Sequence, residues 1–157
     1  MLYCPCGSEK KYSECCQAII NKSTQAKTAE QLMRSRYCAY VTKQAQYIFE
    51  TYAQKSKQHQ SIEEIALWAK QCRWVKLVIV KTYTDHNFSY VEFIAEYLQQ
   101  NRLHQLHELS RFIQEDNQWR YVDGEIKDHS IIRDIKRNDL CPCQSTKKFK
   151  RCCGSLP

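Results

Sequence analysis

A chain of 157 residues, 43% of them hydrophobic, can bury one core of its own, and no run in it nears the roughly 20 apolar residues that cross a bilayer. The formal charge of +7 invites an anionic partner, yet residues 28–132 carry 13 basic and 13 acidic side chains, so the whole excess sits in the two ends. Ten cysteines in a sequence whose first three residues leave no room for a leader predict a cytoplasmic protein, where reduced, clustered thiols bind metal more readily than they pair.

The first unit, residues 1–18, contains CPCGSEKKYSECC. Cys4, Cys6, Cys15 and Cys16 obey the rule C-x-C-x8-C-C. Four soft sulfur ligands suit a closed tetrahedral Zn²⁺ site, and an eight-residue spacer can bring the second pair back to the first. Adjacent cysteines tend to point apart, which leaves open whether Cys16 ligates. A redox pair or disulfides are the competing reading. Residues 17–27, QAIINKSTQAK, read as a short linker that would let the unit pack on the body or hang free.

The body spans 28–132. Thr28 and Gln31 form a capping box, and Ala29, Met33, Tyr37, Tyr40 and Val41 recur at helical spacing, predicting a helix over 28–45. A short helix is expected at 46–54. Ser61 and Glu64 open a third over 61–72, with Ile62, Ile65, Ala66 and Ala69 on its apolar side. The period then switches to two: strands are expected at 74–84, 89–98, 103–114 and 118–126, joined by hairpin turns at DHN, QQN and EDN. Helices followed by a meander give an α+β fold, the helices packed on one face of a curved antiparallel sheet. Cys38 and Cys72 read as buried apolar residues.

The last unit, 137–157, repeats the opening rule in CPCQSTKKFKRCC, with Cys141, Cys143, Cys152 and Cys153 as ligands and the same open question over Cys153. Each four-thiolate zinc site would contribute a charge of about −2. That leaves Lys147, Lys148, Lys150 and Arg151 as the surplus that could meet nucleic acid or a ribosome. A quartet without an open coordination position argues against catalysis by the metal.

RNDLCPCQSTKKFKRCCG (137–154) resembles the SEC-C motif, the zinc knuckle that ends the SecA translocation ATPase and there binds a chaperone and the ribosome. It departs at Gln144 and Thr146, where glycines are usual; the first copy keeps Gly7 but has Glu9 at the second glycine position. MRSRYCAYV (33–41), LHELSRF (106–112) and WRYVDG (119–124) resemble the bacterial YchJ family. That resemblance implies a cone-shaped, nuclear-transport-factor-2-like body between two knuckles, and structural Zn²⁺ in both.

Cones of this kind enclose a pocket. Glu108, Ser110 and Phe112 share one face of the third strand. If that face is the concave one, Glu108 would be partly buried and need a partner, with Arg34 or Arg36 as candidates; Arg36, Tyr40, Glu108 and Ser110 are the candidate pocket residues. The favoured reading of Glu108 is a structural ion pair or hydrogen-bonded carboxylate fixing helix to sheet. Tyr37 and Tyr40 read as core aromatics. His104 and His107 point to opposite sides of a strand and so make no metal pair. With Gly124 the one glycine of the body, no phosphate-cradling loop is possible. The sequence thus points to a non-catalytic, zinc-binding protein-interaction module. The alternatives are a small-molecule-binding protein or enzyme using the pocket, and an RNA-associated protein.

Overall fold

The computed structural model of the chain describes residues 1–156. Helix α1 (Cys16–Ile20) follows the first cysteine cluster, and α2 (Ala29–Val41), α3 (Ala45–Glu50), α4 (Gln54–Lys57) and α5 (Ile62–Gln71) precede the sheet. Strands β1 (Arg73–Asp85), β2 (Phe88–Gln99), β3 (Arg102–Glu115) and β4 (Gln118–Asp134) pair antiparallel in the order β1-β2-β3-β4. Two-residue turns close the hairpins. Both residues have positive φ at Gln100–Asn101 and Asp116–Asn117, the geometry that matches strand twist. No helix of the described residues is long and apolar enough to cross a membrane.

The expected N-caps form, the first with a reciprocal bond. Thr28 Oγ1 accepts from Gln31 N at 3.1 Å, while Gln31 Oε1 reaches back to Lys27 N at 2.7 Å. Ser61 Oγ accepts from Glu64 N at 3.3 Å. Helix α2 departs from a simple amphipathic stripe. Leu32, Met33, Ser35, Arg36, Tyr37, Cys38 and Ala39 are all buried, because the sheet and α3 cover some of its sides and α1 another. On α5, Ile65 and Ala69 are buried, but Ala66 faces solvent.

Other departures share a cause, the bonding needs of strand edges. The helix expected at 46–54 stops at Glu50 because residues 51–53 pair with the open edge of β4: Tyr121 N donates to Thr51 O and Ala53 N to Tyr121 O, both at 2.8 Å. β4 itself runs past residue 126 to Asp134, supplying partners for the first half of β3 as far as Arg102. Residues 17–27 are not a bare linker. Their first part is α1, whose buried Ile20 belongs to the main core with Leu32, Tyr37, Ile48 and Phe112. A second, smaller core of Leu98, Leu103 and Ile135 receives the C-terminal unit through Phe149 and Cys141.

Candidate metal centres and the cone pocket

The two cysteine units fold alike, with partners offset by 137 residues throughout. Cys4 N donates to Lys10 O and Cys141 N to Lys147 O, each at 2.8 Å; Gly7 N bonds Cys4 O and Gln144 N bonds Cys141 O, each at 3.2 Å. Short antiparallel bridges join Tyr3 to Lys11 and Leu140 to Lys148. Ser8 Oγ lies 3.3 Å from Cys15 Sγ, and Ser145 Oγ lies 3.1 Å from Cys152 Sγ.

Whether the last cysteine of each unit turns inward is answered by a kink. Cys15 (φ −124°, ψ −115°) and Cys152 (φ −142°, ψ −117°) sit between two helical turns in nearly the same irregular conformation. That kink swings Cys16 and Cys153 toward the first pair. All four sulfurs of Cys4, Cys6, Cys15 and Cys16 lie within 4.8 Å of one another, as do those of Cys141, Cys143, Cys152 and Cys153. A tetrahedral site with Zn–S bonds near 2.3 Å has sulfur–sulfur edges of about 3.8 Å. The contacts observed are 3.9 Å for Cys6–Cys15 and Cys15–Cys16, and 3.4 Å for Cys143–Cys152. The donor set and its spacing therefore fit a closed, thiolate-bound metal ion. Bonds from the Cys16 and Cys38 thiols draw Cys4 down to about 6. At Cys143 burial pushes upward, but bonds from Ser145, Cys141 and Cys152 prevail and hold it at about 6. Within the same quartets sulfur contacts push Cys16 upward and burial pushes Cys153 upward, so the thiols share their charge unequally.

Cys38 is more than core filling. It is fully buried, as expected, yet its Sγ lies 3.5 Å from Cys4 Sγ. No spacing rule links residues 34 apart, so only the three-dimensional docking of α2 reveals the contact. Cys72 is an inert buried thiol, pushed up to about 12 by burial.

In the body, the cavity between α2 and the sheet has a volume of about 140 Å³ and is lined by Arg36, Tyr40, Glu108 and Ser110 together with Tyr37, Trp74 and Tyr121. Neither arginine pairs with Glu108, so of the two expected forms it is the hydrogen-bonded carboxylate, not the ion pair, that is observed. Arg34 donates to Glu30 Oε1 at 2.9 Å and to Cys6 O at 2.6 Å. Arg36 donates to Ile48 O at 2.7 Å and Thr51 Oγ1 at 2.6 Å, its guanidinium 4.5 Å from the ring centres of both Tyr52 and Tyr121. Hydroxyls serve Glu108 instead: its Oε1 accepts from Ser110 Oγ at 2.7 Å and Tyr121 OH at 2.8 Å. Burial first, then the Glu108 charge, holds the Tyr121 hydroxyl far above its ordinary range, so it remains a donor. Gly124 makes this arrangement possible, since a Cβ there would lie 1.8 Å from Glu108 Oε1.

The histidines behave as their strand positions dictate. His107 bonds Glu92 at 2.7 Å, while His104 stacks on Tyr97 with ring centres 4.9 Å apart. His129, which bonds Tyr97 OH at 2.6 Å, lies on the part of β4 that the sequence pattern did not reveal. Lys147, Lys148 and Arg151 are exposed and Lys150 half-buried; none forms an ion pair among the described residues.

Comparison with known proteins agrees with this architecture. Residues 28–124 match the family described as YchJ, middle NTF2-like domain, and residues 4–18 and 137–155 match the SEC-C motif. UPF0225 protein VP1145 of Vibrio parahaemolyticus is 37% identical over 164 residues, covering 96% of this chain and 98% of that protein. A UPF0225 protein of Enterobacter sp. (strain 638) is 38% identical over 153 residues, with 96% and 97% covered. Among solved structures, RPA3114 of Rhodopseudomonas palustris, a SEC-C motif containing protein, superposes with a TM-score of 0.75 at 30% identity, covering 80% of this chain and 99% of that one. A SEC-C motif containing protein from Psychrobacter arcticus gives a TM-score of 0.70 at 29% identity, covering 100% and 98%.

Proposed function

Because the chain belongs to the YchJ family, we propose that it is a non-catalytic zinc-binding protein whose two knuckles present rigid recognition surfaces on a nuclear-transport-factor-2-like body. The observation that carries this reading is the composition of both quartets. Four sulfurs saturate a tetrahedral ion and leave no position for water or substrate, so the metal's work is structural. Around the second quartet, Leu140 and Leu156 are exposed beside the unpaired Lys147, Lys148 and Arg151. Apolar anchors rimmed by cations suit an acidic, amphipathic protein segment.

Metal analysis comes first: about two zinc ions per chain and few reactive thiols are expected, against ten reactive thiols in a metal-free protein. Affinity capture with the intact chain, with Cys143→Ser and with a Lys147, Lys148 and Arg151 to Ala variant then tests the surface. Partners retained equally by all three would defeat the interaction reading. Partners lost on nuclease treatment would replace protein recognition with RNA binding.

A second reading rests on the cavity. Both protein donors to Glu108 use Oε1, which leaves Oε2 for a ligand's donor group. Saturable thermal stabilisation by a small metabolite, abolished by Glu108→Gln in an otherwise stably folded protein, would establish it. Glu108→Gln that merely lowers the melting temperature supports a structural carboxylate.

A further inference from the structure

Five thiols, not four, meet at the N-terminal centre. Cys38 arrives from the middle of α2, has no exposed surface, and lies 3.5 Å from Cys4 Sγ. Cys15 meets the same group from elsewhere, 3.9 Å from Cys6 and 3.9 Å from Cys16, and alone of the five is only half-buried. Cys4, Cys6 and Cys16 lie within 4.8 Å of one another; Cys15 completes the quartet, and Cys38 stands beside Cys4 as a fifth thiol.

A spacing of 3.5 Å is close to the edge of a thiolate tetrahedron, about 3.8 Å. An ion crossing the face of Cys4, Cys6 and Cys16 from the Cys15 side would move only about 1.5 Å, given the same bond length. No comparable sulfur adjoins the C-terminal quartet among the described residues. Cys72 lines the groove beside Cys143, Cys152 and Cys153 but makes no sulfur contact with them.

We propose that Cys38 is a reserve ligand of the N-terminal metal centre. When Cys15, the half-buried thiol, is blocked or lost, the ion is held by Cys4, Cys6, Cys16 and Cys38 without leaving the protein. The inference rests on the reading of the quartets as metal centres, and it makes the N-terminal site resistant to attack at its one accessible sulfur where the C-terminal site is not.

The test compares the two equivalent cysteines. Full-length wild type, Cys15→Ser, Cys152→Ser and the double variant Cys15→Ser/Cys38→Ser are titrated with a zinc chelator, and bound zinc is counted by native mass spectrometry. Wild type and Cys15→Ser should each keep about two ions, with at least tenfold more chelator needed to strip Cys15→Ser than to strip the weaker ion of Cys152→Ser. The double variant should fall to the Cys152→Ser level. After cobalt substitution, the thiolate-to-metal charge-transfer band of Cys15→Ser should match that of wild type in intensity, because the number of bound thiolates is unchanged. Cys15→Ser losing an ion as readily as Cys152→Ser would overturn the proposal, and so would a double variant as resistant as Cys15→Ser. A wild type without metal would instead remove the premise, an outcome distinguishable from either. The comparison of Cys15→Ser with Cys152→Ser decides the matter even if replacing the buried Cys38 prevents folding.

Discussion

The two knuckles share their hydrogen bonds, their bridge and their kinked penultimate cysteine, and differ in what they stand on. The first is built into the main core: Cys4, Cys6, Cys16 and Ile20 are buried together with Tyr37, Cys38, Ile48 and Phe112, and Arg34 of α2 donates to Cys6 O. The second rests on the end of the sheet, where the smaller cluster of Leu98, Leu103 and Ile135, with the half-buried Val75, shares its apolar contact. One local fold thus serves as a structural layer of the body in one place and as an appendage in the other. The repeat encodes the hairpin; the docking is encoded in residues outside the repeat.

The largest expected consequence concerns metal loss. Cys6→Ser should destabilise the whole chain by about 4 kcal/mol or more, because the unfolded knuckle would expose the core side of α2, whereas Cys143→Ser should cost the body about 1–2 kcal/mol. Hydrogen exchange of the α2 amides distinguishes them: fast exchange is expected for Cys6→Ser and near-native protection for Cys143→Ser. Equal protection in both would break the distinction between layer and appendage.

Next comes the aromatic that plugs each hairpin. Phe149 is 5% exposed within the second core, while its counterpart Tyr12 is half-buried against the first. Phe149→Ala should loosen the C-terminal knuckle by about 3 kcal/mol. Tyr12→Ala should cost less, since the N-terminal knuckle keeps its other attachments. The rate of zinc release from each site, followed with a chromophoric chelator, measures both effects. A smaller effect, about 1 kcal/mol, is expected for Arg34→Met, which removes the 2.6 Å bond to Cys6 O but leaves the side-chain stem in place. It should speed release from the N-terminal site only.

How far the sequence disclosed this arrangement depends on the range of each signal. The helix N-caps, the hairpin turns and the alternation of β3 are local, set by residues within four positions of one another, and they were legible. So was the cysteine rule, because it recurs. The break at Thr51–Ala53 was not, since its cause is the edge of β4 some seventy residues away. The extension of β4 through Asp134 was hidden because KDHSIIRD lacks alternation; its exposed Ile131 and Ile132 are neighbours, not members of one face. At the sites, spacing suggested four thiols, and the fold supplied a fifth. Period-two alternation groups Glu108 with Ser110 but does not say which face is concave; the fold turns that face to the cavity, and neither Arg34 nor Arg36 partners Glu108. Charge pairing looked the natural solution in sequence, while Ser110 two residues away and Tyr121 across the strand were geometrically closer.

The subtlest difference between the knuckles lies in backbone strain. Positions 7 and 9 of the first copy and 144 and 146 of the second all have left-handed φ: Gly7 at 77°, Glu9 at 61°, Gln144 at 63° and Thr146 at 63°. This conformation is why the SEC-C pattern favours glycine at both places, and it is most costly for a β-branched residue. The C-terminal copy has no glycine at either position and places threonine at one, so it holds its loop against more strain than its partner. Thr146→Gly should relieve about 1 kcal/mol and tighten metal binding at the C-terminal site about fivefold. Glu9→Gly should gain less at the N-terminal site, where Glu9 is not β-branched and docking already fixes the loop. Chelator competition on the two single variants gives the comparison directly. Equal gains would mean that strain contributes nothing to the difference between the sites, and that attachment to the body accounts for all of it.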